Sequence, residues 1–263
     1  MLRNTLLWLA LAALVAGSPA LAQDMSVDDI IAKNIETRGG YDALKAVDAA
    51  RVEGTMNMGG MEAPFSIEYK RPQKVRMEFT MQGMTGVQAY DGESGWSVMP
   101  FMGKTDPEPM AEDQLKQIQD QADFIDGTLV DYADKGHTVE LVGKEDVEGT
   151  EAYKLKVTKK NGDVVYSYLD TEYFLEFKQE TKAEMMGQEV NMSVTFGDYK
   201  EVGDIVLAHS IEATAEGAPA GQVITLKTVD LGAEVSDDRF VMPEPAAKDD
   251  AEGTDEKDEA GGR

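Results

Sequence analysis

From Val52 to Met102 apolar residues recur at every second position: Val52, Gly54, Met56 and Met58, then Phe65, Ile67 and Tyr69, then Val75, Met77, Phe79 and Met81. The same period continues in Val87 and Ala89 and in Trp96 and Val98. The intervening positions are mostly polar or charged, as in Arg51, Glu53, Thr55 and Asn57, or Ser66, Glu68 and Lys70. Side chains of a strand point alternately to opposite faces, so this pattern predicts successive antiparallel strands with one wet and one dry face. Turn residues punctuate it at Gly59-Gly60, Arg71-Pro72, Gln82-Gly83, Asp91-Gly92 and Gly95.

Further strands are predicted over 137–142, 152–158, 164–169, 173–181, 190–198, 205–213 and 222–231. Between them lie turns at Glu148-Gly149, Asn161-Gly162, Asp170-Thr171, Met186-Gly187, Gly203-Asp204 and Glu216-Gly217. About eleven or twelve strands at regular spacing give a mainly β protein, a strongly curved sheet or barrel and not a β/α repeat.

Three segments break the two-residue period. Ser26 to Asp29 reads as a capping box, with Ile30, Ile31 and Ile35 at helical spacing until Gly39-Gly40 stops the turn. A short helix follows over 41–47. The third, from Met110 to about Phe124, comes after Pro107 and Pro109 and gathers Leu115, Ile118, Ala122 and Ile125 on one side. Asp113, Lys116, Gln117 and Asp120 fall on its other side. A dry sheet face has to be covered, and these helices carry the apolar stripes that can cover it. The helix around Ile30 to Ile35 and the helix around Leu115 to Ile125 are the predicted lids.

The N-terminus combines Arg3, an apolar run from Leu6 to Val15, and Ala20-Leu21-Ala22. That is the build of a secretory signal peptide cleaved after Ala22, and its apolar run is short of the roughly 20 residues that span a bilayer. Three regions follow: a leader over 1–22, one folded domain over 23–243 and an acidic tail over 244–263, expected to be disordered because it is rich in Asp, Glu, Ala and Gly. The expected location is the bacterial periplasm, or the exterior after secretion. Cysteine is absent, which excludes disulfides, thiol chemistry and a lipid-modified cysteine. The formal charge of −25 argues against nucleic acid or an anionic membrane surface as partner.

Catalysis has little to draw on. Histidine occurs only at 137 and 209, without a Ser/Asp/His grouping or a phosphate-cradling glycine loop, so neither an enzyme, a cofactor nor a resident metal is expected. Methionine is unusually frequent, with twelve residues between Met56 and Met192. Flexible thioethers suit a cavity that takes acyl chains of varied shape. They also suit Cu(I), a rival reading that lacks neighbouring histidines.

Two longer stretches are informative together. Glu68-Tyr69-Lys70-Arg71-Pro72-Gln73-Lys74-Val75-Arg76-Met77 precedes Tyr90-Asp91-Gly92-Glu93-Ser94-Gly95-Trp96, which continues to Pro100-Phe101, and the domain closes on Phe240-Val241-Met242-Pro243. This resembles the periplasmic outer-membrane lipoprotein carrier family, LolA-like proteins, with its Lys-Arg-Pro turn, its Asp-Gly turn before a Trp strand and its closing Phe-x-x-Pro. Met99 stands where the family has Asn or Asp before Pro-Phe, and the acidic tail is an addition.

The resemblance implies an unclosed β-barrel of about eleven antiparallel strands with helices plugging its concave apolar face. It also implies a monomer carrying lipid or acylated lipoprotein cargo between an inner-membrane donor and an outer-membrane acceptor. The cavity would be lined by Met56, Phe65, Ile67, Tyr69, Met77, Phe79, Met81, Val87, Trp96 and Val98, and gated by Ile31, Ile35, Leu115 and Ile118. Arg71 matches the arginine that holds the family's lid backbone. Its position after Tyr69 also allows a strand-end arginine reaching solvent. The same fold serves envelope sensors and structural modules, the alternative to a carrier.

Overall fold

The computed structural model describes residues 25–185, 188–218 and 220–244. The leader, the tail beyond Glu244 and the expected turn at Met186-Gly187 lie outside them. Six strands come first: β1 (Ala49–Met58), β2 (Met61–Lys70), β3 (Lys74–Met81), β4 (Met84–Tyr90), β5 (Gly95–Met99) and β6 (Lys104–Pro109). Seven follow the helical insertion: β7 (Thr138–Val147), β8 (Thr150–Thr158), β9 (Val164–Asp170), β10 (Glu176–Met185), β11 (Gln188–Val202), β12 (Ile205–Ala215) and β13 (Gln222–Asp230).

All thirteen belong to one antiparallel sheet in the order β6-β5-β4-β3-β2-β1-β13-β12-β11-β10-β9-β8-β7. The end strands β6 and β7 do not pair with each other, which leaves the barrel unclosed. The count exceeds the expected eleven or so because β6 occupies the segment of Pro107 and Pro109, read from sequence as a bare lead into the helix. Proline cannot donate to a ladder, but an edge strand tolerates it.

Register corrects part of the predicted dry face. Val52 faces Ile67, Ile67 faces Met77, and Met77 faces Gln88, which faces Ser97. Directly paired residues share a face, so the concave side runs through Gln88 and Ser97. Val87 pairs with Glu78 and Val98, and Ala89 pairs with Arg76 and Trp96. Val87, Trp96 and Val98 therefore lie on the convex side. The reason is parity: Met81 pairs with Met84 across a two-residue turn, so odd-numbered partners on β3 meet even-numbered ones on β4. Tyr90 pairing with Gly95 shifts the parity again.

Three helices cover the concave face. In α1 (Val27–Thr37) the Ser26 side chain accepts from the Asp29 amide at 3.1 Å while the Asp29 carboxylate accepts from the Ser26 amide at 3.3 Å, closing the expected capping box. Its Ile30 and Ile31 pack on Tyr153, Leu155, Val157 and Val165, the β8–β9 side of the barrel. The short α2 (Tyr41–Ala46) puts Leu44 against Val52, Phe65, Ile67 and Leu226. Between β6 and β7 come α3 (Glu112–Gln121) and a run of turns, which bury Ile118, Ile125 and Val130 in that same cluster. Gly39 makes the corner between α1 and α2 at φ +111°; a Cβ there would lie 2.1 Å from the Asp204 carbonyl oxygen. That close approach lets the Val206 amide donate to the Arg38 carbonyl at 3.1 Å, fastening the corner to β12.

On the convex side the chain after β13 returns as a strap over β1 to β5. Phe240 is fully buried, its carbonyl accepts from Trp96 Nε1 at 2.8 Å, and the Arg76 guanidinium lies 5.4 Å from the Trp96 ring centre. Lys70 donates to the Val235 carbonyl at 2.9 Å. Beneath the strap the buried Glu68 carboxylate is held by Arg51 and Arg239 at 2.9 and 2.8 Å. Among the described residues no helix is long and apolar enough to cross a membrane.

Candidate functional site

Seven of the predicted cavity residues do line one face. Met56 on β1, Phe65, Ile67 and Tyr69 on β2, and Met77, Phe79 and Met81 on β3 share the concave side through the register above. Phe65, Ile67 and Tyr69 are buried; Met56, Met77, Phe79 and Met81 keep partial exposure. The buried end is filled by the chain itself. Phe124 stacks on Tyr69 with ring centres 4.7 Å apart and an 11° interplanar angle, and Ile118 and Ile125 join the same cluster. A cleft between Ala50, Tyr69, Pro72 and Ile125 measures about 30 Å³, a water-sized space and not that of an acyl chain.

The predicted lid residues divide between two places. Leu115 and Ile118 lie on α3 over β4 and the start of β5, where a Cβ on Gly95 would be 2.7 Å from Leu115 Cδ2 and Gln119 reaches the Tyr90 hydroxyl at 3.1 Å. Ile31 belongs to the β8–β9 side, and Ile35 touches both clusters. Thus α1 and α3 cover different halves of the concave face.

Arg71 is the joint between sheet and cover. Its Nη2 and Nη1 donate to Asp126 Oδ1 and Oδ2 at 2.7 and 2.8 Å, in a fork-to-fork pair. Its Nε donates to the Val47 carbonyl, just past α2, at 2.8 Å and Nη2 also to the Leu44 carbonyl in the last turn of α2 at 3.0 Å. The guanidinium turns inward onto the cover, and the solvent-reaching reading of Arg71 does not hold.

Asp126 gathers further cations. Lys45 of α2 lies 2.9 Å from its carboxylate and 2.9 Å from that of Asp131. Arg38, at the end of α1, donates to the Asp126 backbone carbonyl at 3.1 Å and to the Ile125 carbonyl. Lys135 holds Asp123 at 2.5 Å and the Gly127 carbonyl at 2.6 Å. Burial by itself would raise the Asp126 carboxyl, but hydrogen bonds and charge from Arg71 and Lys45 prevail and bring it down to about 2. Burial dominates at Asp123 and pushes it up despite Lys135.

Sequence reasoning missed Asp126, Lys45, Arg38 and Lys135. The available signal was a pair of acids, Asp123 and Asp126, flanking the apolar Phe124-Ile125 just after the helix. A second polar group lies deeper, where Ser167 and Gln179 donate to Glu176 Oε1 and the Tyr199 hydroxyl donates to the Glu176 carbonyl. The Glu176 carboxyl is raised by burial, partly offset by those two donors and by the charge of Arg38. No cluster of three or more His, Asp or Glu able to hold a metal occurs among the described residues.

No protein-family model matches the chain, and no curated protein matches it in sequence. Solved structures do match. A LolA superfamily protein from Nitrosomonas europaea superposes with a TM-score of 0.58 at 13% identity, covering 82% of this chain and 98% of that one. A DUF1329 family protein from Desulfovibrio piger gives 0.56 at 14% identity over 82% and 97% of the two chains. An outer membrane lipoprotein-sorting protein domain from Vibrio parahaemolyticus gives 0.51 at 14% identity over 80% and 97%. An open antiparallel sheet of thirteen strands with helices over its concave apolar face is the architecture of this chain, and its fold is that of these solved structures, a LolA superfamily protein among them.

Proposed function

We propose that the protein is a periplasmic carrier that takes the acyl chains of lipids or lipoproteins onto its concave apolar face and delivers them toward the outer membrane. The observation that carries this reading is the manner in which the face is covered. A plug meant only to complete a core would be held by apolar packing; this one is also fastened by a charged joint, Arg71 and Lys45 on Asp126, at the border of the apolar face. The fold shared with the lipoprotein-sorting domain from Vibrio parahaemolyticus supports the same class of cargo.

Energetics call for such a cover. One long acyl chain supplies on the order of 10 kcal/mol at about 0.8 kcal/mol per buried CH2. A rigid open cavity would retain it. When Phe124, Ile118 and Ile125 refill the face, only the difference between cargo and plug drives binding, and cargo becomes transferable.

Native mass spectrometry of the exported protein purified without detergent, followed by denaturation to release bound molecules, tests the proposal. Co-purifying lipid or acylated protein, retained less by a Met77→Trp variant that fills the face, is the expected result. A protein that emerges empty and also refuses a fluorescent fatty acid, with the joint intact or broken, would refute it.

A further inference from the structure

Antiparallel pairing places the β1–β2, β3–β4 and β5–β6 turns at the same end of the sheet, opposite the Arg71 turn. Because β1 to β6 are consecutive neighbours, these three tips stand side by side, spaced by two strand intervals or roughly 10 Å. Their sequences are Asn57-Met58-Gly59-Gly60-Met61, Thr80-Met81-Gln82-Gly83-Met84-Thr85 and Met99-Pro100-Phe101-Met102-Gly103. None contains a charged residue, in a chain that is 29% charged with a net charge of −25. Each presents an exposed methionine: Met61 at 55%, Met84 at 37% and Met102 at 68% relative exposure.

The first charges behind the tips are paired, Glu62 with Lys227 at 3.9 Å and Lys104 with Glu108 at 2.8 Å. The apolar surface also runs inward without a break. Phe101 packs on Phe79 with ring centres 5.6 Å apart, and from Phe79 the concave face continues to Met77, Ile67 and Phe65.

We infer that these three tips are a membrane-docking edge, entering the headgroup layer of a zwitterionic bilayer so that the open end of the apolar face meets lipid. Charge selects the lipid: a body of net charge −25 is repelled by an anionic surface, and its three uncharged tips can approach a zwitterionic one closely. Tip geometry favours a fluid layer over a shaped partner. Protein interfaces concentrate binding on Trp, Tyr and Arg in fixed pockets, whereas the tips offer flexible thioethers between glycine turns, and their one aromatic ring, Phe101, is turned onto Phe79. The inference rests on the carrier reading only for the direction of transfer.

The absence of native cysteine allows a single reporter to be placed at will. Mature protein carrying Met84→Cys or, as control, Val142→Cys on β7 is labelled with an environment-sensitive nitrobenzoxadiazole dye. Each is mixed with phosphatidylcholine/phosphatidylethanolamine vesicles, with or without phosphatidylglycerol. The expected result is a blue shift at residue 84 and none at 142, weakened by phosphatidylglycerol at low salt. Vesicle binding should fall at least about tenfold in a Met61→Ser/Met84→Ser/Met102→Ser variant. That variant should keep unchanged binding of a fluorescent fatty acid in solution, which separates docking from cargo binding. The inference is overturned by no shift at 84 with any vesicle, by equal shifts at both positions, or by insertion only into phosphatidylglycerol vesicles. It is also overturned if the triple variant loses fatty-acid binding, which would make the tips part of the cargo site, or if sedimentation shows the tips burying themselves in a dimer that the triple variant abolishes.

Discussion

Replacing Asp126 with asparagine keeps the shape of the side chain and one acceptor for Arg71 while removing the charge that Arg71 and Lys45 share. The wild-type carboxyl, brought from an ordinary 3.8 down to about 2, marks about 2 kcal/mol of stabilisation of the plugged state, at 1.36 kcal/mol per pKa unit. Losing that much shifts a plugged-to-open equilibrium by about 30-fold. If cargo binds only the open state, apparent affinity scales with the open fraction, and a titration with the uncharged apolar dye diphenylhexatriene should show Asp126→Asn binding up to about 30-fold more tightly than wild type. The pH arm has a definite sign. A depressed carboxyl contributes stability that is present above its unfolded value of 3.8 and is lost as pH falls through about 2, so wild-type affinity for the dye should rise toward that of Asp126→Asn over that window. The variant itself should stay flat there. Unchanged or weaker dye affinity in Asp126→Asn, together with a lower urea midpoint, would refute the reasoning: the joint would then be holding the fold and not a movable cover.

Three further outcomes follow from the geometry. The raised Glu176 carboxyl means that ionisation opposes folding above its unfolded value near 4.5, so Glu176→Gln, which keeps an acceptor for Ser167 and Gln179, should raise the urea midpoint at pH 8 and leave it unchanged near pH 4. Phe240→Ala should cost about 3–5 kcal/mol by urea unfolding, since a fully buried ring at the end of the strap leaves a cavity beside Ala233 and Val235. Gly39→Ala should destabilise by more than the roughly 1 kcal/mol typical of strained backbone, because its methyl group would meet the Asp204 carbonyl oxygen, and thermal unfolding will read the loss.

Local patterns carried much of this architecture. The capping box at Ser26, the glycine corner, the alternation of β1 to β3 and the turn residues placed most elements within a few residues of where they are. What alternation could not carry was parity across a hairpin. Each strand was legible alone, but the face of Val87, Trp96 and Val98 depended on the two-residue turn at Gln82-Gly83 pairing Met81 with Met84. Trp96 reads as core because it is core, on the convex side under Phe240.

The joint was half visible. Arg71 stood out against its apolar neighbours, whereas its partner Asp126 lies 55 residues away in an acidic chain where most carboxylates are solvated. Only the folded path of the insertion brings the two together. Edge strand β6 was hidden for the opposite reason, since Pro107 and Pro109 break the local rule that the edge position relaxes.

The gap between β6 and β7 makes the sheet a split ring. A closed barrel widens only by breaking ladder hydrogen bonds or shifting its shear, whereas a split ring can spring wider by small changes of twist spread over all thirteen strands. The bore is then an elastic quantity, set by how much material lies inside and limited by how far the insertion can stretch across the slit. For the proposed carrier, cargoes of different girth would then fit the same sequence, with no lining residue exchanged.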